Sequence, residues 1–173
     1  MKKVFPLKLE LPRTGEGIDA AFRDPVKRNA FFLAKVPSLA FFGADVTQMN
    51  RAECHVSIPF DWRTQNPFRS IYFGAQASVA ELSTGALVIR AMADLGLGPD
   101  EISMLVVSMT CTFGKKAKSR ATFRCVQGEE VHQAVLKASQ GEEVVLDVES
   151  VGCMADGTEV SRFSFKWAIK KKA

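Results

Sequence analysis

The chain has 173 residues, with 23 Lys and Arg against 19 Asp and Glu, and a formal net charge of +4. That length suits one domain with a sizeable core. The weak positive charge is too small to argue for nucleic acid but is compatible with an anionic small molecule.

Residues 1–24 read as an N-terminal arm, irregular or at most a short strand, and 25–173 as a single domain. Pro6 and Lys8 interrupt the opening Met-Lys-Lys-Val-Phe-Pro-Leu-Lys, so it does not read as a signal peptide. Asp24-Pro25 begins a helix well, with Asp as cap and Pro at the first helical position. That helix runs to about Val36 and is stopped by Pro37, and a short turn from Ser38 to Phe42 ends at Gly43. Two strands follow, Asp45–Met49 and Arg51–Ile58. In the second, Ala52, Cys54, Val56 and Ile58 alternate with polar residues, the period of a half-buried strand. Pro59 to Pro67 is a loop.

The centre of the chain is the apolar stretch that follows Asn66-Pro67. From Ile71 to Ala80 there is no charged side chain; then Glu81 appears alone, and charge returns only at Arg90 and Asp94. Ala, Leu, Met and Gln favour a helix here, from about Ser70, which can cap it, to Leu95, with Gly96 and Gly98 as the stop. A helix apolar on nearly every side is normally buried. Gly74, Ala77, Ser78, Glu81, Thr84 and Gly85 share one face by their spacing of three and four. That face is small and carries one acid, so another backbone or a thin ligand can come close to it. A buried carboxylate is costly unless paired, hydrogen-bonded or protonated, which makes Glu81 the first candidate for a functional residue. The competing reading is a structural acid that anchors a neighbouring loop. Glu81 and the Ser, Thr, Gln and Gly around it also argue against a membrane span.

After Pro99 the pattern is mostly β. Ile102–Phe113 alternates, with Leu105, Val107, Met109, Cys111 and Phe113 on one face. Gly114 to Lys118 is a basic turn, either a solvated hairpin or, with Arg120, a cradle for phosphates. Ser119–Val126 is a strand, Glu129–Ser139 a short amphipathic helix, Glu143–Cys153 a strand, and Ala155-Asp-Gly157 a hairpin turn. Thr158–Ile169 is the last strand, with Phe163, Phe165 and Trp167 facing the core. Cys54, Cys111, Cys125 and Cys153 lie scattered in these strands with no Cys-x-x-Cys pair, and read as reduced core residues of a cytoplasmic protein. Successive strands joined by short turns argue for an antiparallel sheet. One long helix that is apolar all round must be covered widely, which a sheet curled around it does. The fold class is therefore α+β.

This order, and the residues in it, resemble the hotdog fold, an antiparallel sheet wrapped around a long central helix. The sharpest resemblance is to thioesterases of the phenylacetic-acid-degradation type. Their motif has a loop Asn, a His six residues later followed by Gly-Gly, and an acid nine residues after the His. Here Asn66 stands first, Tyr72 takes the His place, Phe73-Gly74 the Gly-Gly place and Glu81 the acid's place. The wording Ser70-Ile-Tyr-Phe-Gly-Ala with Ala80-Glu-Leu-Ser looks closer still to a branch of uncharacterised hotdog proteins regarded as thioesterases.

The resemblance implies dimers, often paired into tetramers, with an acyl-CoA site between subunits. Glu81 would be general base or nucleophile, with Asn66, Tyr72 and Gly74 completing the catalytic set. Phe73, Arg69, Ser78, Thr84 and Gly85 would line the substrate. The N–H groups of Phe73 and Gly74 at the helix start would hold the carbonyl oxygen, a contribution of about 3–4 kcal/mol per good donor. The resemblance implies no cofactor and no membrane or nucleic-acid partner; the partners are an acyl thioester and a second copy of the chain. Two residue-level readings stay open beside it. Asn66 before Pro67 can simply order a turn, and Tyr72 can be a core residue with its hydroxyl at the cleft. Tyr72 and Phe73 in place of His and Gly favour a hotdog module that binds an acyl-CoA or acyl chain without turning it over; Glu81 and Asn66 favour the enzyme. His55 and His132, the two histidines, lie outside the motif, so a Ser-His-acid triad is not expected, and no His/Cys spacing suggests a metal.

Overall fold

Local signals explain most of the helix boundaries. The computed structural model describes residues 10–172; the reading of Met1–Lys8 lies outside the described residues. Thr14 accepts a hydrogen bond from Gly17 N and starts α1 (Gly15–Arg23). Asp24 ends it and at once caps α2 (Pro25–Lys35), accepting from Val26 N and Lys27 N. α3 (Pro37–Phe42) follows with Pro at its start and closes on Gly43, whose φ of 68° is left-handed. The stretch Gly15–Arg23 is thus helical, where the sequence reads as an irregular arm or short strand. Two glycines in its first turn weaken its local helix signal; what holds it is tertiary. The Asp19 carboxylate accepts from Arg90 Nε at 2.9 and 3.2 Å.

The sheet is antiparallel and six-stranded, with the order β1-β2-β4-β5-β6-β3. Its strands are β1 (Asp45–Met49), β2 (Cys54–Ile58), β3 (Ile102–Phe113), β4 (Ala121–Cys125), β5 (Val144–Met154) and β6 (Glu159–Lys171). Two helices complete the fold, α4 (Phe73–Asp94) and α5 (Gly128–Ser139). The second strand starts later than the alternation suggests, because Asn50 Oδ1 accepts from Ala52 N and Glu53 N and folds residues 51–53 into the turn.

α4 carries the chain from β2, next to one edge of the sheet, to β3 at the other edge. It packs across β2, β4, β5 and β6. Val79, Ala80, Ala86 and Val88 are fully buried along it, as all-round apolarity demands. The sheet contributes Phe123, Phe163, Phe165 and Trp167, and Trp167 Nε1 donates to Thr84 Oγ1 at 3.1 Å. An antiparallel sheet around one long central helix is the hotdog fold.

β3 departs from simple alternation. Its register with β6 shifts between Val106 and Ser108. Before this bulge, Met104 and Val106 are the residues that pack on the core, while Leu105 is 62% exposed. After it, Met109 pairs with Phe165, Cys111 with Phe163, and the Phe113 ring meets that of Phe163 edge-on at 5.8 Å. The expected single face of Leu105, Val107, Met109, Cys111 and Phe113 is therefore split by one extra residue that switches sides. Cys111 is exposed and Cys153 half-buried, against the expectation of four core thiols; only Cys54 and Cys125, register partners on β2 and β4, are fully buried. Cys111 is exposed because it stands on an edge strand.

Candidate functional site

The entrance to α4 is shaped by the loop before it. Asn66 Oδ1 accepts from Phe68 N at 2.9 Å and Ser70 N at 3.2 Å, and Asn66 N donates to Ser70 O at 2.8 Å. This closes a turn in which Arg69 adopts φ 58°, the one non-glycine in the left-handed region among the described residues. Ile71 N then donates to Ala117 O at 2.9 Å and Tyr72 N to Thr64 O at 2.7 Å. These bonds keep residues 70–72 extended. The helix starts at Phe73, with Tyr72 rather than Ser70 as its cap and no side chain capping it. The N–H groups of Phe73, Gly74 and Ala75 are therefore the free donors of the first turn, and they carry the positive end of the helix dipole. Gln76, which is buried, fixes this corner by donating to Ile71 O and accepting from Ser161 Oγ.

Tyr72 and Phe73 are about half exposed and stand side by side, with ring centroids 4.8 Å apart. The Tyr72 ring lies over Gly74. A Cβ on Gly74 would sit 2.6 Å from Tyr72 Cε1, so a larger residue there would have to push the half-exposed Tyr72 ring aside. The basic turn borders this corner through Ala117, which is buried. Lys115, Lys116 and Lys118 beside it are exposed, and Arg120 donates to Ser57 Oγ at 3.1 Å.

Glu81 lies two turns along α4. It lines a cleft of about 350 Å³ with Ser38, Leu39, Ser78, Val106 and Phe165 among its neighbours. Burial pushes its carboxyl pKa above the usual carboxylate range, with no cation among the described residues offsetting that cost. Arg63 is engaged elsewhere, paired with Asp61 at 2.6 Å. The small face divides at this point. Gly74, Ala77, Ser78 and Glu81 are half-buried, whereas Thr84 and Gly85 are buried under Trp167. The Thr84 hydroxyl donates to Glu81 O and accepts from Trp167. Ser78 lines the cleft, its hydroxyl turned back to Gly74 O at 2.9 Å. Asn66, Arg69, Tyr72, Phe73 and Gly74 are thus gathered at the helix start, and Ser78 and Glu81 at the cleft. Ser38 and Leu39 of α3, and Met109 of β3, join the cleft through tertiary contacts that no local pattern announces.

His55 hydrogen-bonds Glu53 at 2.7 Å, and His132 packs by Arg51, both away from this face. Among the described residues no group of three or more His, Cys, Asp or Glu is placed to hold a metal ion. No helix there is long and apolar enough to cross a membrane.

The fold has many solved counterparts. A protein of unknown function from Pseudomonas aeruginosa, described as a probable thioesterase, superposes with a TM-score of 0.69 at 17% identity, over 88% of this chain and 99% of its own. A protein of unknown function from Chlorobaculum tepidum gives 0.75 at 12% identity, over 94% and 100%. A thioesterase from Haemophilus influenzae gives 0.61 at 11% identity, over 83% and 90%. At such identities the likeness carries the hotdog fold. No curated protein matches the sequence. The family model described as "domain of unknown function (DUF4442)" matches residues 27–169, so the chain belongs to that family.

Proposed function

We propose that this protein hydrolyses acyl thioesters, with acyl-CoA or an acyl carrier as substrate, at a site shared by two copies of the chain. The observation that carries the reading is Glu81: the lone acid on the small face of the buried helix, set in a cleft, with its pKa raised by burial. A carboxylate tuned upward toward neutral pH is suited to general-base work. In this mechanism Glu81 takes a proton from water and the resulting hydroxide attacks the thioester carbonyl carbon. The Phe73 and Gly74 N–H groups, with the Asn66 side-chain amide, hold the oxyanion. The intermediate collapses, the C–S bond breaks, and the departing thiolate takes the proton from Glu81. The alternative route on the same residues is direct attack by the Glu81 carboxylate, followed by hydrolysis of the mixed anhydride.

The spacing along the helix supports the sharing between subunits. Eight residues separate Phe73 from Glu81, a rise of about 12 Å along the helix. A reacting carbonyl must lie about 3 Å from both its nucleophile, here the water held by Glu81 or the carboxylate itself, and its oxyanion donors. In this reading one copy of α4 supplies the base and a second copy the donors. β3, a twelve-residue strand whose outer side is unpaired among the described residues, is the natural seam. The exposed Lys115, Lys116 and Lys118 at the same corner suit the phosphates of CoA.

One observation favours a second reading, a module that binds acyl-CoA without hydrolysis: the Tyr72 ring covers Gly74, where the carbonyl would approach. A panel of acyl-CoA esters with thiol detection tests the proposal. Release of thiol above the uncatalysed rate supports hydrolysis. A protein inert to the whole panel yet stabilised by CoA or an acyl ligand in a thermal shift supports the binding module instead.

A further inference from the structure

We infer that the acyl group is a long apolar chain, whose tail occupies a second cleft lying in line with the Glu81 cleft. This rests on the thioesterase reading only for which end carries the thioester. The second cleft has a volume of about 620 Å³ and is walled by apolar side chains, among them Ile18, Phe31, Ile89, Met92 and Met104.

Three elements line both clefts, and all three step in the same direction. On α4, Ala77 and Glu81 line the first cleft and Ile89 and Met92 the second, along one stripe at helical spacing. On β3, Met109 and Val106 line the first, and Met104 and Ile102 the second. The bulge between Val106 and Ser108 keeps these four on one side of the strand. On the α2–α3 segment, Ser38 and Val36 line the first, and Lys35 and Phe31 the second. From Glu81 to Met92 the helix rises about 16 Å, a span that needs a long chain and that an aryl or short acyl group would leave unfilled.

The chemistry of the walls selects the occupant. The charged residues of the second cleft, Glu10, Arg13, Lys35, Asp100 and Glu101, are exposed at its rim and of mixed sign. Its buried lining, Ile18, Met92, Ala93 and Ile102, is apolar, so among the described residues the cleft offers nothing inside to receive a polar or carboxylated tail. Gly85 lies between the clefts on the same stripe. A Cβ there would stand 3.1 Å from Glu81 Oε1 and 3.5 Å from Trp167 Cζ2.

The test uses two non-hydrolysable probes, S-hexyl-CoA and S-hexadecyl-CoA thioethers, titrated calorimetrically below micellar concentration. Each buried methylene is worth about fourfold in affinity, so the hexadecyl probe should bind at least 100-fold tighter than the hexyl probe. Ile89→Trp, which fills the second cleft, should weaken the hexadecyl probe at least 30-fold and move the hexyl probe less than threefold. Met104→Trp, on the opposite wall, carries the same expectation should Ile89→Trp fail to fold. Equal affinity of the two probes for wild type, or parallel loss of both in a folded variant, overturns the inference. The two readings fail separately. Length-dependent binding without turnover of any ester retains the long-chain site and removes hydrolysis. Turnover of short esters with equal thioether affinities does the reverse.

Discussion

Replacing Arg90 by methionine should lower stability by about 3–5 kcal/mol, the scale for breaking a buried ion pair from one side. Arg90 and Asp19 are each only 7% exposed. Arg90 Nε reaches both Asp19 oxygens, at 2.9 and 3.2 Å. Arg90 also pairs with Asp94, which in turn accepts from Gly15 N at 3.1 Å. The network therefore ties α1 to the C-terminal half of α4, beside the second cleft. Methionine keeps the aliphatic body, so little cavity forms. What is lost is the partner of the Asp19 carboxylate; Asp94 is better hydrated. In a chain of this length 1 kcal/mol moves the melting temperature by about 2–4 °C, so a fall of about 6–20 °C is expected by circular dichroism. The double variant Asp19→Leu/Arg90→Met should recover most of it, because an apolar pair often replaces a buried ion pair without loss. A single variant melting within about 2 °C of wild type, or a double variant no better than the single, would refute this account of how α1 is held.

Three further outcomes follow. Gln76→Leu leaves Ile71 O and Ser161 Oγ without their buried partner, and should cost about 1–3 kcal/mol in chemical denaturation while reducing turnover by loosening the helix start. Glu81, whose folded pKa is raised above the ordinary 4.5, carries a burial cost. That cost is absent below the ordinary value, grows as pH rises through it, and is full above the raised one. Glu81→Gln should therefore melt higher than wild type at pH 7.5, with the gain vanishing near pH 4; a gain independent of pH would contradict the assigned cause. Light scattering at micromolar concentration should give at least twice the 19.0 kDa chain mass, and a monomer would count against the shared site.

The parts of the fold legible in the sequence are those with local causes. Asp24-Pro25, Gly43 and the Asp156-Gly157 turn act through their own backbone preferences, and each stands where the pattern puts it. The buried α4 and the stripe Phe163, Phe165, Trp167 were legible because burial on every side and burial on one side leave different periods. The missed features have distant causes. α1 depends on Arg90, far along the chain. The start of α4 is moved from Ser70 to Phe73 by Ala117 and Thr64, which hold residues 71 and 72 extended. The bulge at Val106–Ser108 reverses a face by one residue, and alternation cannot reveal it because both sides of that strand carry apolar side chains. Within the site, Glu81 was legible from its isolation in an apolar helix. Ser38, Leu39 and Met109 were not, since they meet it only in the folded chain.

The central claim is that the Glu81 carboxylate performs the chemistry, and one comparison tests it directly: steady-state thiol release from an accepted acyl-CoA by wild type and Glu81→Gln. The substitution keeps size and hydrogen bonding and removes charge and basicity. Turnover should fall at least about 100-fold, the scale of a positioned acid–base group, which is about 2.7 kcal/mol of transition-state stabilisation. The variant should remain folded and melt at or above the wild-type temperature at neutral pH. Wild-type activity should fall on acidification through a pKa above the ordinary 4.5 of a glutamate. A variant that is destabilised yet turns over at the wild-type rate would contradict the claim and leave Glu81 a structural acid.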